Sequence, residues 1–295
     1  VNIGLDHLGF VARDLGSLWA TCHALGFSRT EPEELLRHDP VSGESVSLGQ
    51  SSCHLVFEQG YVELSAVTQP TPTHHLAAYL AHEPRLAICA FAASDVANIR
   101  THVVSAGVAS RELQHAARAV QYGARRGDAQ FDWFMVEPAE SPEGLVCYVR
   151  NRTPELLYQP EVQSHPNGAI ALTGILVDAG GSAALDECVA RYSRLLGVKP
   201  RWYARGCEFA LTGGAVDIVA SVGDAQRASS GFAGLSVQVR SLGDAARLLE
   251  RNAVPFTQRS ACLIVPRAAG AGAYWCLHEA ARVSCWTELG STETP

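Results

Sequence analysis

Leu5-Asp6-His7-Leu8-Gly9-Phe10-Val11 reads as a strand with apolar residues on either side of a single histidine. Asp14 follows and can cap a helix, along which Leu15, Leu18, Trp19, Cys22 and Leu25 fall at helical spacing on one face. Gly26 stands where that helix needs a left-handed residue to end. The same sentence is written three more times, each time without the histidine. After Leu86 to Ala92, Asp95 caps a helix carrying Val96, Ile99 and Val103, closed at Gly107. After Ala171 to Val177, Ser182 caps a helix carrying Leu185, Cys188, Val189 and Tyr192, closed at Gly197. After Leu235 to Val239, Ser241 opens a helix with Leu242, Ala245 and Leu249, and Ala253 takes the glycine place.

Short strand-like runs separated by polar or glycine-rich turns follow each helix. In the first copy they are Val46 to Leu48, Cys53 to Glu58 and Tyr61 to Val67, with Gln59-Gly60 as a hairpin turn. In the second they are Ala119 to Tyr122, Asp132 to Glu137 and Leu145 to Val149. In the third they are Arg201 to Ala204, Glu208 to Leu211 and Ala215 to Ser221, and in the fourth Phe256 to Gln258, Cys262 to Val265 and Tyr274 to Leu277. The unit is strand, helix, then three strands.

Composition narrows the function classes. The 295 residues are 47% hydrophobic and 18% charged, which is a folded globular chain long enough for two domains. A net charge of -7 argues against nucleic acid, which needs a cationic face. No apolar run approaches the ~20 residues of a membrane span. The first residues read as a strand rather than a secretory leader. Nine cysteines, an odd number with no CxxC pair, point to a reducing cytoplasm. Cys89, Cys147 and Cys276 lie in apolar runs and read as small buried hydrophobes.

The repeated unit resembles the βαβββ module of the vicinal oxygen chelate superfamily, the group of glyoxalases, bleomycin-resistance proteins and extradiol dioxygenases. The resemblance covers nearly the whole chain. The segment from Thr153 to Pro160, running on to His165-Pro166-Asn167-Gly168-Ala169, resembles the connector of glyoxalase-like proteins of about this length. It implies an α+β fold of four βαβββ modules making two tandem domains with curved mixed sheets. The domains would run over 1–153 and 169–287, with a linker at 154–168 and a tail at 288–295. First would pair with second and third with fourth, first with fourth being the alternative. Pro154, Pro160 and Pro166 make the linker an irregular connector across a domain surface, with His165 a structural hydrogen-bonder.

In that superfamily a divalent metal sits in the cup, held from the first and last strands of paired modules. Matched residue by residue, the resemblance puts His7 in the first-strand ligand place and Glu63 in the last-strand place. Such a pair suits Zn, Fe, Mn or Ni. Glu63 is also odd on its own terms, because a charge amid Tyr61 to Val67 must face solvent or a polar cavity. The partner module departs from the pattern. Its histidine place falls at Ile88, or at Ala87 with a one-residue shift, and its glutamate place at Tyr148. Asn151 stands where glyoxalase-like relatives tend to carry a histidine. His38 and His54 are candidates for a third ligand or for substrate contact, and Trp133 could line an apolar cup. The third and fourth modules offer Thr173, Gly234, Asp217 and Leu277 beside His278-Glu279, which disfavours an extradiol dioxygenase.

Other histidines and cations read more plainly. His74-His75 is expected at the surface, and Arg125-Arg126 is a solvated spot in a hairpin that could greet an anion. Two functions remain. One is an enzyme of lyase or isomerase type acting on a small oxygenated molecule through an enolate or oxyanion, assisted by a metal on His7 and Glu63. The other is a metal-free cup, either sequestering a small molecule or catalysing with Glu63 as base and Tyr148 as donor. Neither needs a nucleic acid or membrane partner, and the chain could be a monomer or a homodimer.

Overall fold

The computed structural model describes residues 2–38, 45–69, 74–82, 84–222, 230–280 and 286, with backbone only at 36–38, 45, 81 and 82. The first module runs β1 (Ile3–Ala12), α1 (Leu15–Ala24), β2 (Glu33–His38), β3 (Ser45–Val56) and β4 (Tyr61–Val67). The second runs β5 (Arg85–Ala93), α2 (Val96–Ser105), β6 (Gln114–Val120), β7 (Gly127–Met135) and β8 (Leu145–Asn151). A short α3 (Pro154–Leu157) lies in the connector. The third is β9 (Ala169–Asp178), α4 (Ser182–Leu196), β10 (Arg201–Tyr203), β11 (Gly206–Leu211) and β12 (Gly214–Val219). The fourth is β13 (Gly231–Val239), α5 (Leu242–Arg251), β14 (Thr257–Gln258), β15 (Cys262–Val265) and β16 (Tyr274–His278).

The local signals act as their chemistry requires. Asp14 accepts from the amides of Gly16 and Ser17, Asp95 from Asn98, and the Ser241 hydroxyl from Asp244. Ser182 is instead the first helical residue, and Gly181, with φ 134°, holds the cap position without a side-chain bond. The stops at Gly26, Gly107 and Gly197 all have positive φ. Ala253 holds the same left-handed conformation, φ 53°, with a Cβ that disfavours it. In the first module, Val46 to Leu48 and the run from Cys53 belong to one strand, β3. The first of its three strands is β2, which the mixed sequence Glu33–His38 conceals.

Two mixed eight-stranded sheets result, β2-β3-β4-β1-β5-β8-β7-β6 and β10-β11-β12-β9-β13-β16-β15-β14. First pairs with second and third with fourth through the antiparallel β1/β5 and β9/β13 seams. In the first sheet the outer strands β2 and β6 meet, so it curls almost into a barrel. The helix-bearing faces of the two sheets look toward each other around one continuous core. Phe10 of β1 stacks on Trp275 of β16 at 5.5 Å, and Tyr148 donates to the Leu195 carbonyl of α4 at 2.8 Å. The connector is built into this arrangement. His165 accepts from the Ser28 amide at 3.0 Å and donates to the Val56 carbonyl at 2.8 Å, and buried Asn167 bonds Leu25 and Ala169.

Each sheet turns its other, concave face outward. The second concave face is filled by an apolar cluster that includes Leu176, Ala233, Ile264 and the fully buried Trp286. The first is open and holds a cavity of about 420 Å³. Seven described cysteines are free and buried, and Cys276 is disulfide-bonded. No described helix is long and apolar enough to cross a membrane.

Candidate functional site in the first cup

Side-chain alternation decides what enters the cavity. On β1 the residues turned inward include His7, and on β4 they are Tyr61, Glu63 and Ser65. Glu63 pairs with Gly9 on one side and His54 of β3 on the other. A bulge in the β1/β5 pairing falls between Leu5 and His7, which leaves Asp6 beside its neighbour's ring. Asp6 Oδ2 lies 2.7 Å from His7 Nδ1. An ionised carboxylate only accepts, so the hydrogen is on Nδ1 and Nε2 is turned the other way. The ring stacks on Tyr61 with centroids 4.5 Å apart.

His7 Nε2 faces Glu63 Oε2 across 3.7 Å. The other Glu63 oxygen is fixed, accepting from Gln50 Nε2 at 3.0 Å and from the Ser65 hydroxyl. Gln50 also donates to Ser65 at 2.9 Å. The carboxylate is therefore held by one oxygen and free at the second. Beside it, His54 Nδ1 lies 3.0 Å from Arg118 Nη1. Burial, then the charges of Arg118 and His7, push the His54 pKa well below the usual histidine value. The ring is neutral, its Nδ1 accepts from the guanidinium, and its hydrogen is on Nε2.

The opposite wall comes from the second module and is mostly apolar, with Ile88, Leu145, Met135, Phe131 and Trp133. The β1/β5 register explains this. Leu8 opposes Cys89, so the counterpart of His7 is Ile88. Glu63 pairs at Gly9, so its counterpart is Cys147, which pairs at Ala90. Tyr148, expected in that place, is one residue further along β8 and so on the other face. It is fully buried against Phe91 and Phe134, far from proton donation in the cup. Cys147 lines the cavity, and burial followed by the charges of Asp6 and Glu63 pushes its thiol pKa up, keeping it protonated.

The remaining candidates divide. Trp133 and His54 share the cavity with His7 and Glu63. Asn151 ends β8 with both amide atoms buried and unpartnered, outside the cavity lining. His38 closes β2, and its side chain lies outside the described residues. His74 and His75 are not surface groups. They stack at 4.4 Å on the cavity wall, and burial lowers the His75 pKa to about 3. Arg125 and Arg126 are exposed and away from the cup. Asp6, Gln50, Ser65 and Arg118 were not singled out in the sequence. Asp6 adjoins His7, and Gln50 and Ser65 surround Glu63 only once β3 and β4 are in register.

A resident metal can be judged on these donors. His7 and Glu63 converge at a separation that two bonds of ~2.1 Å could bridge. A catalytic centre usually needs three protein ligands, and no group of three or more His, Cys, Asp or Glu converges among the described residues. Ile88 has no donor atom. The donor set does not fit the four-strand metal site of the superfamily. In the second cup, Thr173 bonds His278 Nε2 at 2.7 Å, Asp217 accepts from Tyr203 at 3.4 Å, and a Cβ on Gly234 would meet Trp286 at 3.0 Å. Leu277 lies in the core between the sheets.

The fold and its paired βαβββ modules are those of the vicinal oxygen chelate superfamily. Solved structures agree. A hypothetical protein from Staphylococcus aureus superposes with a TM-score of 0.61 at 10% identity, covering 94% of this chain and 100% of that one. A triple mutant of 4-hydroxymandelate synthase from Streptomyces coelicolor gives 0.58 at 14% identity, over 95% of this chain and 94% of that one. A catechol 2,3-dioxygenase gives 0.57 at 13% identity, over 96% and 90%. At such identities the likeness is one of fold. The model of the glyoxalase-like domain matches residues 5–196, and the chain belongs to that family. No curated protein sequence matches it.

Proposed function

We propose that the first cup carries out proton transfer on a small oxygenated organic molecule, with Glu63 as the base and His7 as its partner. The observation behind this is the state of Glu63, one oxygen tied to Gln50 and Ser65 and the other left facing His7. A positioned carboxylate of this kind can take a proton from carbon next to a carbonyl. The C–H electron pair then forms a C=C bond while the carbonyl π pair moves to oxygen, which leaves an enolate. Return of the proton to another carbon gives isomerisation, and expulsion of a group from the neighbouring carbon gives a lyase. His7, its Nδ1 hydrogen directed at Asp6, can take up on Nε2 the proton that Glu63 removes and, once charged, stabilise the oxygen where negative charge collects. The apolar wall of the second module keeps bulk water from that oxygen.

Glu63→Gln should abolish turnover while leaving ligand binding intact. Unchanged function in that variant would instead mark a protein that only sequesters its ligand. A second reading is that His7 Nε2 and Glu63 Oε2 would hold a divalent ion, which would supply Lewis-acid polarisation in the cup. Elemental analysis of protein purified without chelator decides between the readings. A stoichiometric transition metal that is lost in His7→Ala supports the second reading, and a metal-free protein with chelator-resistant activity supports the first.

A further inference from the structure

We infer that Arg118 is a receptor for a carboxylate, so that the molecule taken into the first cup is a small carboxylic acid with an apolar or aromatic body. This rests on reading the cup as a ligand site, and it adds the class of ligand. Arg118 lies on the inner face of β6, lines the cavity and is 7% exposed. An arginine cannot escape burial by losing its proton. Its guanidinium donates to His54 Nδ1, a neutral acceptor that offers no compensating charge. Among the described residues it forms no ion pair. Glu33 of β2 feels its charge at a distance, its Oε1 accepting from the Gln121 amide at 3.2 Å and its Oε2 buried without a hydrogen-bond partner, and the two form no direct ion pair.

Three other arginines near the core are matched by carboxylates. Arg111 at the cavity wall meets Glu137 at 3.4 Å, Arg152 meets Asp132 at 2.6 Å, and Arg191 meets Glu143. A buried cation with only a distant counter-charge in Glu33 is poorly compensated, so its place beside a cavity suits an anion from outside. The planar fork suits a carboxylate. Position sets the rest of the ligand. His54, which holds Arg118, is the direct cross-strand partner of Glu63. A carboxylate on Arg118 therefore brings the carbons next to it toward the proposed base. The body beyond them meets Ile88, Phe131, Trp133 and Met135.

The test is calorimetric titration of the intact protein with 3-phenylpropanoate and its neutral counterpart 3-phenylpropanamide. The acid should bind at least tenfold more tightly than the amide. Arg118→Met should erase that preference and Arg118→Lys should keep part of it. Equal binding of the two probes, no binding of the acid, or a preference that survives in Arg118→Met overturns the inference. If circular dichroism shows Arg118→Met unfolded, wild type and Arg118→Lys decide the matter: a preference absent from wild type, or undiminished in Arg118→Lys, overturns the inference, and a partial loss in Arg118→Lys supports it. The preference is read by binding without turnover, so failure of the proton-transfer reading would leave this result standing.

Discussion

His7 Nε2 and Glu63 Oε2 face each other across 3.7 Å, held from behind by Asp6 on one side and by Gln50 and Ser65 on the other. Two lone pairs set face to face are unfavourable unless a proton or a cation lies between them. Asp6 acts through His7 as a positioning residue, because it fixes which ring nitrogen carries the hydrogen. Asp6→Asn should lower kcat by about 10–100-fold with KM little changed, on the scale of lost outer-shell partners. Steady-state kinetics beside Asp6→Glu, which should recover part of the loss, checks this. A fall in stability with kcat intact would make Asp6 merely structural.

Buried neutral histidines make the fold sensitive to acid. The His54 pKa is pushed well below its usual value by burial and by Arg118, and burial takes His75 to about 3. In the unfolded chain both would protonate near pH 6.5. Between that value and the lower folded one the unfolded state binds more protons, so stability is lost as pH falls. Each can contribute a slope of at most about 1.4 kcal/mol per pH unit. Thermal melts from pH 7.5 to 4 should show a falling midpoint, with a shallower fall in His75→Asn. A flat profile would contradict the buried, neutral assignment.

Ala253 occupies the left-handed stop that glycine fills after α1, α2 and α4. Its Cβ costs roughly 1–2 kcal/mol in that conformation. Ala253→Gly should therefore stabilise the protein by up to ~1 kcal/mol, the gain being reduced by the freedom glycine adds to the unfolded chain. Urea denaturation measures it, and a loss of stability would show that the Cβ contributes packing there.

Glu143, from the turn before β8, is fully buried and pairs with Arg191 of α4, joining the first sheet to the helix of the third module. Removing one member leaves the other charge buried without its partner. Glu143→Ala should destabilise the chain by about 3–5 kcal/mol. The double variant Glu143→Ala with Arg191→Met should recover part of this, since no orphaned charge remains. Additive losses in the denaturation midpoints would show that the pair is not coupled.

Much of the fold is legible in the sequence because its signals are local. Caps at Asp14, Asp95 and Ser241 and stops at glycine mark four helices without reference to tertiary structure. His7 and Glu63 could be found because each is a polar residue in an apolar strand. The rest of the site depends on register. Tyr148 and Cys147 are adjacent in sequence, yet one faces the helices and the other the cavity, and only the pairing of β5 with β8 separates them. Arg118 reaches His54 because β6 curls round toward β2 and β3, a closure between strands far apart in sequence. β2 was concealed for a different reason, since a polar edge strand carries little apolar alternation.

The most direct test of the account is deuterium incorporation, followed by NMR in heavy water, at the carbon next to the carbonyl of pyruvate, 2-oxobutanoate and dihydroxyacetone. Wild-type protein should accelerate exchange for at least one of these, and the acceleration should survive EDTA. Glu63→Gln, still folded by circular dichroism, should lose it by about 10²–10⁴-fold, the usual scale of a general base. Exchange that persists at the wild-type rate in Glu63→Gln, or no acceleration by wild-type protein, would contradict the assignment of Glu63 as the base of this cup.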